Sequence, residues 1–278
     1  MAQGRSLHIG LNDVSAAAYG GPVPSLNACE GDATDMLAIA SLAGFAGHTL
    51  LTQAATRGAV LAELRAAAGT LAPGDIFLVS YSGHGSQVVD KNNDEDDFRD
   101  ETWCLYDGQL IDDELYDAWS RFAQGVRIVV LSDSCHSGTV VRALPALDGR
   151  RGVVAVAEAS VGPRFLARTL AAGLEGRAYR AQKKLYDDIQ REKPKGESDI
   201  AASVLLISGC QDSQESMDGP INGAFTGALL RIWNDGAFAG SYRSFHRKIQ
   251  RELPFTQNPN LITFGRGPGF AEERPFTI

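Results

Sequence analysis

Six short apolar runs, Leu7–Leu11, His48–Leu51, Ile76–Tyr81, Arg127–Leu131, Val204–Ser208 and Leu261–Phe264, alternate along the chain with longer stretches of helical periodicity. The helical patterns lie near Asp32–Ala43, Ala59–Ala68, Glu114–Phe122, Phe165–Gln190, Ala224–Asn234 and Tyr242–Glu252. Runs rich in Ile, Val, Leu and Phe and bounded by Gly or Ser read as buried strands, and parallel pairing of such strands needs a crossover about as long as these helices. The pattern predicts an α/β fold with a mostly parallel central sheet between helical layers. A chain of 278 residues with 44% hydrophobic composition can fill one large core, and no repeat or low-complexity tract divides it. One domain over 1–278 is expected, with its core at about 6–265.

Two of the runs carry chemistry at their ends. Asp75–Gln87 (DIFLVSYSGHGSQ) and Arg127–Gly138 (RIVVLSDSCHSG) each pass from an apolar strand into a small-residue turn, one bearing His84 and the other Cys135. Ligands of open α/β sheets gather at the carboxyl ends of the strands. A thiol with a reference pKa of about 8.5 becomes a nucleophile near neutrality when an imidazole takes its proton. Cys135 as nucleophile and His84 as general base meet that need, while His136, adjacent to the cysteine in a turn, points elsewhere. Either residue alone after a buried strand is more often packing than catalysis; the pair reverses those odds. The oxyanion formed by thiolate attack needs fixed N–H donors, which the backbone at Gly85 and Cys135 can supply.

At these residues the chain resembles the metacaspases, caspase-like cysteine peptidases of clan CD that include the bacterial orthocaspases. The matching stretches are YSGHGSQ, SDSCHSG, the segment from Asp90 to Glu114, SGCQDSQES and INGAFTGAL, within a similarity that spans roughly Leu7 to Gly265. The resemblance implies a caspase-like αβα sandwich and an endopeptidase, and it points to the same oxyanion donors, Gly85 and Cys135. It also implies that Cys29, Asp32, Ser82 and Asp133 line the primary specificity pocket. Carboxylates in a partly buried pocket favour a guanidinium or ammonium, so cleavage after Arg or Lys is expected. The plainer readings are a helix-terminal acid for Asp32 and a turn-capping acid for Asp133.

The acidic stretch Asp90–Glu114 departs from an EF-hand, because Glu95 stands where the loop requires glycine. By resemblance Asp100, Asp112 and Asp113 occupy positions of a calcium cluster, but Arg142 stands at the fourth ligand position. A cation there repels Ca²⁺. No cofactor is required on this reading; calcium stays open, with calcium-independent activity favoured.

The stretch Arg142–Lys195 holds twelve of the chain's 26 basic residues and reads as a basic linker or solvated helix. In an Arg/Lys-specific peptidase it is also a self-cleavage region, with Arg150, Arg151 and Lys195 as candidates. A net charge of −8 disfavours nucleic acid and anionic membranes as partners, and no apolar run reaches the roughly 18 residues that span a bilayer. Without an apolar leader, and with four singly placed cysteines, Cys29, Cys104, Cys135 and Cys210, the expected location is a reducing cytoplasm. The expected partners are protein or peptide substrates. The competing reading is a catalytically weak caspase-like domain that serves as a binding or regulatory module.

Overall fold

The alternation of runs builds a six-stranded sheet in the computed structural model, which describes residues 1–89, 99–134, 166–191, 199–210, 216–267 and 269–278. In chain order the elements are β1 (Gly4–Gly10), α1 (Cys29–Leu42), β2 (Ala46–Leu51), α2 (Arg57–Thr70), β3 (Ile76–Ser82), β4 (Gly85–Val89), β5 (Arg99–Leu105), β6 (Gly108–Ile111) and α3 (Asp112–Ser120). They continue with β7 (Arg127–Asp133), β8 (Leu166–Ala167), α4 (Ala172–Ala181), α5 (Lys183–Ile189), β9 (Ser203–Ser208), β10 (Met217–Asp218), α6 (Ala224–Trp233), α7 (Tyr242–Glu252) and β11 (Asn260–Gly265). The main sheet runs β11-β9-β7-β3-β1-β2 and is parallel except for the edge strand β11. It is the mostly parallel sheet expected.

Alternation of side chains along each strand sends the two halves of an apolar run to opposite faces. On β3, Phe77, Val79 and Tyr81 join Ile128 and Val130 of β7 in a core closed by Val60 and Leu64 of α2 and by Leu115 and Trp119 of α3. The other face takes Ile76, Leu78, Val129 and Leu131, covered by Met36 and Ile39 of α1, Phe225 and Leu229 of α6, and Phe245 and Ile249 of α7. Both faces being dry, the central strands read as continuous apolar runs. Each such side chain contributes about 1.5–3 kcal/mol of burial. Phe270 and Phe276 also pack into the second core, which therefore extends past Gly265.

From β1 the chain steps outward to β2 and then returns on the other side of β1 as β3. Such a reversal of strand order opens a crevice at the carboxyl ends of the two central strands, β1 and β3 here.

Two elements differ from the sequence expectation. A three-stranded antiparallel sheet, β4-β5-β6, follows the His84 turn. The single helical pattern expected over Phe165–Gln190 is instead a short strand β8, which pairs antiparallel with β10, followed by α4 and α5. Residues 166–170 leave the helix because their backbone groups are engaged by Gly85 and by the Ser216–Asp218 segment. Helix propensity in FLARTLAAGLEG is a weak preference that tertiary pairing overrides.

Candidate active site

Ser82 ends β3, Asp133 ends β7, and the two are direct register partners, so their side chains stand together at the crevice. Asp32 enters from the first turn of α1. That helix is not capped by Ala28; Asn12, past the end of β1, accepts hydrogen bonds from the backbone N–H of Cys29 (2.9 Å) and Glu30 (3.3 Å). Asp218 on β10 is a third carboxylate, and it accepts from the N–H of Asn27 (2.8 Å) and Ala28 (3.2 Å).

Between them lies the guanidinium of Arg168, whose side chain is 0% exposed. Nη2 reaches Asp32 Oδ2 at 2.8 Å and Asp218 Oδ1 at 2.9 Å. Nη1 reaches Asp133 Oδ2 at 2.9 Å and donates to Ser82 Oγ at 2.8 Å and to the Asp133 carbonyl at 3.2 Å. Gly223, just before α6, forms the wall: a Cβ there would sit 2.5 Å from Nη2. The pocket accepts a planar fork because that residue has no side chain.

Each acid has donors of its own besides the guanidinium. Asp32 accepts from Ser82 Oγ (2.7 Å), Asn222 Nδ2 (3.0 Å) and the Gly223 N–H (3.1 Å). Asp133 accepts from Ser216 Oγ (2.5 Å) and from both the N–H (3.1 Å) and hydroxyl (2.8 Å) of Thr226. Burial pushes the Asp32 carboxyl above its ordinary value while the Arg168 charge pulls the other way. Burial also disfavours the charge on Arg168, but Asp133 and Asp32 outweigh it and keep the guanidinium protonated. Three acids thus surround one guanidinium.

His84 sits in the turn between β3 and β4. Its Nε2 is 2.8 Å from the carbonyl of Pro24, and a carbonyl only accepts, so Nε2 carries the proton. Nδ1 then has a lone pair, and it has no hydrogen-bond partner among the described residues. Burial lowers the pKa of His84 below its ordinary value, so the ring is neutral near pH 7. The turn itself is fixed from beneath: the Tyr81 hydroxyl donates to the His84 carbonyl (2.7 Å), and the Tyr81 ring stacks on Trp103 with centroids 4.7 Å apart. Beside the imidazole, the Gly85 N–H donates to the Arg168 carbonyl at 2.9 Å.

The structure thus brings Asp32, Ser82, Asp133, His84 and Gly85 to one crevice. Cys29 is buried there too, but burial pushes its thiol up to about 12, which makes it a packing residue rather than a nucleophile. Cys135, Arg142, Arg150, Arg151 and Lys195 lie outside the described residues. Asp100, Asp112 and Asp113 are buried on β5 and at the start of α3, where Gln190 donates to Asp100 (2.8 Å) and the Asp113 N–H donates to Asp112 (2.9 Å). Among the described residues no group of three or more His, Cys, Asp or Glu side chains is arranged to hold a metal. Asp218, Arg168 and the Pro24 carbonyl are missing from the sequence expectation. Asp218 and Arg168 lie in segments that resemble no strand, and a backbone carbonyl leaves no mark on residue identity.

Comparison with known proteins places this geometry in a family. A family model described as Caspase domain matches residues 13–266. Metacaspase-1 of Saccharomyces cerevisiae is 30% identical over 211 residues, covering 68% of this chain and 49% of the yeast protein, and Metacaspase-1 of Kluyveromyces lactis is 31% identical over 216 residues, covering 68% and 48%. The chain therefore spans about half the length of these relatives. The crystal structure of protein GSU0716 from Geobacter sulfurreducens is 50% identical, with a TM-score of 0.84 and 99% of each chain covered. Caspase-1 from Spodoptera frugiperda shares the fold at 10% identity, with a TM-score of 0.54 over 95% of this chain and 86% of that one.

Proposed function

The chain belongs to the caspase-domain peptidase family, and from that premise we propose that it is a cysteine endopeptidase that cleaves protein substrates after Arg, and less readily after Lys. The observation that carries the specificity is the buried set of Asp32, Asp133 and Asp218 with Ser82, closed around a guanidinium next to His84. An arginine side chain presents two nitrogens in a fixed planar fork that matches acids placed on both of its ends, whereas the ammonium of lysine donates from a single nitrogen.

In the proposed reaction Cys135 gives its proton to Nδ1 of His84, and the thiolate attacks the substrate carbonyl carbon. The Pro24 carbonyl holds the imidazole in the tautomer that can accept this proton and stabilises the imidazolium that forms. The developing oxyanion is met by the N–H groups of Gly85 and Cys135. Collapse breaks the C–N bond, and the leaving amine takes the proton back from His84. Water then hydrolyses the thioester, with His84 again as base. No step calls for a metal, and activity should persist in EDTA, since Arg142 takes the place of a ligand acid.

The test is hydrolysis of a fluorogenic peptide ending in Arg. Cys135→Ala should abolish it, and His84→Ala should lower it by about 10²–10⁴-fold, each with an unchanged circular dichroism spectrum. Full activity in Cys135→Ala would overturn the mechanism. Tight binding of the peptide by wild type without hydrolysis would instead support a binding module.

A further inference from the structure

One acid of the specificity pocket is held on one side through an intermediary. Asp133 Oδ2 is met by Arg168 Nη1 (2.9 Å) and by the N–H (3.1 Å) and hydroxyl (2.8 Å) of Thr226. Oδ1 accepts from Ser216 Oγ at 2.5 Å and, among the described residues, from no other group. The set of the carboxylate on that side therefore depends on what aims the Ser216 hydroxyl. Gln257 does so. It lies in the turn between α7 and β11, is 0% exposed, and brings Nε2 to 2.9 Å from the Gly209 carbonyl and 3.1 Å from Ser216 Oγ. A carbonyl only accepts, so the amide nitrogen faces Gly209, and its two hydrogens serve Gly209 and Ser216. Ser216 Oγ accepts one of them and sends its own single hydrogen to Asp133. The frame around the amide is fixed: the Gln257 N–H donates to the Pro254 carbonyl (2.9 Å), His246 of α7 to the Pro259 carbonyl (2.8 Å), and the Gly209 N–H to the carbonyl of Ser132, next to Asp133 (2.7 Å). Gln257 Oε1 is buried with no hydrogen-bond partner. A buried acceptor without a donor is a cost that an apolar side chain of the same size would not carry, so the amide is of use here for its nitrogen.

We propose that Gln257 is a positioning residue of the specificity pocket: through the Ser216 hydroxyl it sets the Asp133 carboxylate for one end of an arginine fork, and so contributes to the preference for Arg over Lys. This deepens the Arg-directed reading above and rests on it. A guanidinium spans the pocket, with Nη2 toward Asp32 and Asp218 and Nη1 toward Asp133, as the side chain of Arg168 shows. A lysine donates from one nitrogen, which can meet the Asp32 and Asp218 end without Asp133. Turning the Asp133 carboxylate therefore costs an arginine substrate more than a lysine substrate. Gln257 exchanges no proton and contacts no reacting atom; its part is to orient.

The experiment measures kcat/KM of the purified full-length chain on two fluorogenic peptides that differ only in ending with Arg or Lys. The Arg168 side chain meets both peptides alike, so the ratio of the two values reads the pocket itself. Gln257→Met keeps the length of the side chain and removes both donors. It should lower the Arg-to-Lys ratio by about fivefold or more, through a higher KM for the Arg peptide, while kcat/KM for the Lys peptide stays within about twofold. Ser216→Ala should lower the ratio to the same extent, and the double variant should lower it no further, as two residues acting through one contact require. Urea unfolding of the same preparations separates the alternatives, since a glutamine that only braces the turn would shift the midpoint and leave the ratio unchanged. Should Gln257→Met fail to fold, Ser216→Ala, the smaller change, decides by itself. An unchanged ratio in Gln257→Met or Ser216→Ala, or losses that multiply in the double variant, would overturn the proposal and leave the peptidase reading standing. A wild type that hydrolyses neither peptide would overturn both.

Discussion

Two arginines are buried among the described residues, and their surroundings differ in how charge is balanced around them. Arg57 opens α2 and forms a bidentate pair with Glu114 at 2.9 and 2.7 Å, with the Gln109 carbonyl as a further acceptor. One cation meets one carboxylate, and the Glu114 side chain also accepts the Ile111 N–H at the start of α3 (3.2 Å). Arg168 meets three carboxylates from α1, β7 and β10, each provided with hydroxyl or backbone donors besides the guanidinium. A pair that only joins two elements is balanced in charge, because a buried excess costs stability. A pocket with surplus acid whose acids have their own donors is organised for a cation that comes and goes. Arg57 joins two elements of the scaffold; in the proposed reading, Arg168 stands where a substrate arginine would.

The sharpest way to break that contrast is to remove one acid from each site. Asp133→Asn should lower kcat/KM for Arg peptides by about 30-fold or more, the equivalent of 2–5 kcal/mol for a buried charge partner. Glu114→Gln should instead leave kcat/KM within about twofold, while the unpaired Arg57 lowers unfolding free energy by about 3–5 kcal/mol. Both values come from steady-state kinetics and urea unfolding on the same preparations. Equal kinetic effects would erase the distinction between scaffold and pocket.

A smaller change probes shape rather than charge. Gly223→Ala places a methyl where the guanidinium lies, 2.5 Å from Nη2. A misplaced methyl in a fitted pocket is worth about 1–3 kcal/mol, so kcat/KM for Arg peptides should fall by about 10-fold or more, with Lys peptides less affected. An unchanged Arg-to-Lys ratio in Gly223→Ala would mean that the fork does not seat against this wall.

A last effect is on pH, and it sharpens the comparison with buried groups that stay neutral. His8, on β1, hydrogen-bonds Ser80 (2.8 Å); burial, aided by His48, lowers its pKa to about 3. His84 is lowered by burial as well. Below pH 6.5 the unfolded chain takes up protons that these folded sites refuse, so stability is complete above about 6.5 and is lost as the pH falls toward 3. His8 alone contributes a slope of up to about 1.4 kcal/mol per pH unit in that window. Urea midpoints between pH 7 and pH 5 should show the decline, and His8→Asn should flatten it. The acid limb of kcat/KM should lie below 6.5, because His84 remains neutral there.

Much of this was legible in the sequence, for identifiable reasons. Buried parallel strands announce themselves as apolar runs, and all six strands of the main sheet coincide with the six runs, to within a residue or two at most ends. The β4-β5-β6 sheet did not, because GSQVV, RDETWCL and GQLI carry too many polar residues to be told from loop. In the site, Asp32, Ser82, Asp133 and His84 stand at ends of readable elements. Asp218 ends one two-residue strand and Arg168 directly follows the other, and these strands exist only through their mutual pairing, a long-range event without local periodicity. Arg168 was further hidden by an Ala- and Leu-rich context that favours helix. Pro24 acts through a carbonyl, which every residue has.

The most direct test of the central claim, that this pocket is built for an arginine side chain, is a peptide library varied at the residue before the scissile bond and read with the purified enzyme. Arg should dominate, Lys should follow, and Asp, Glu and large apolar residues should give background rates. Preferred cleavage after Asp or after an apolar residue would contradict it.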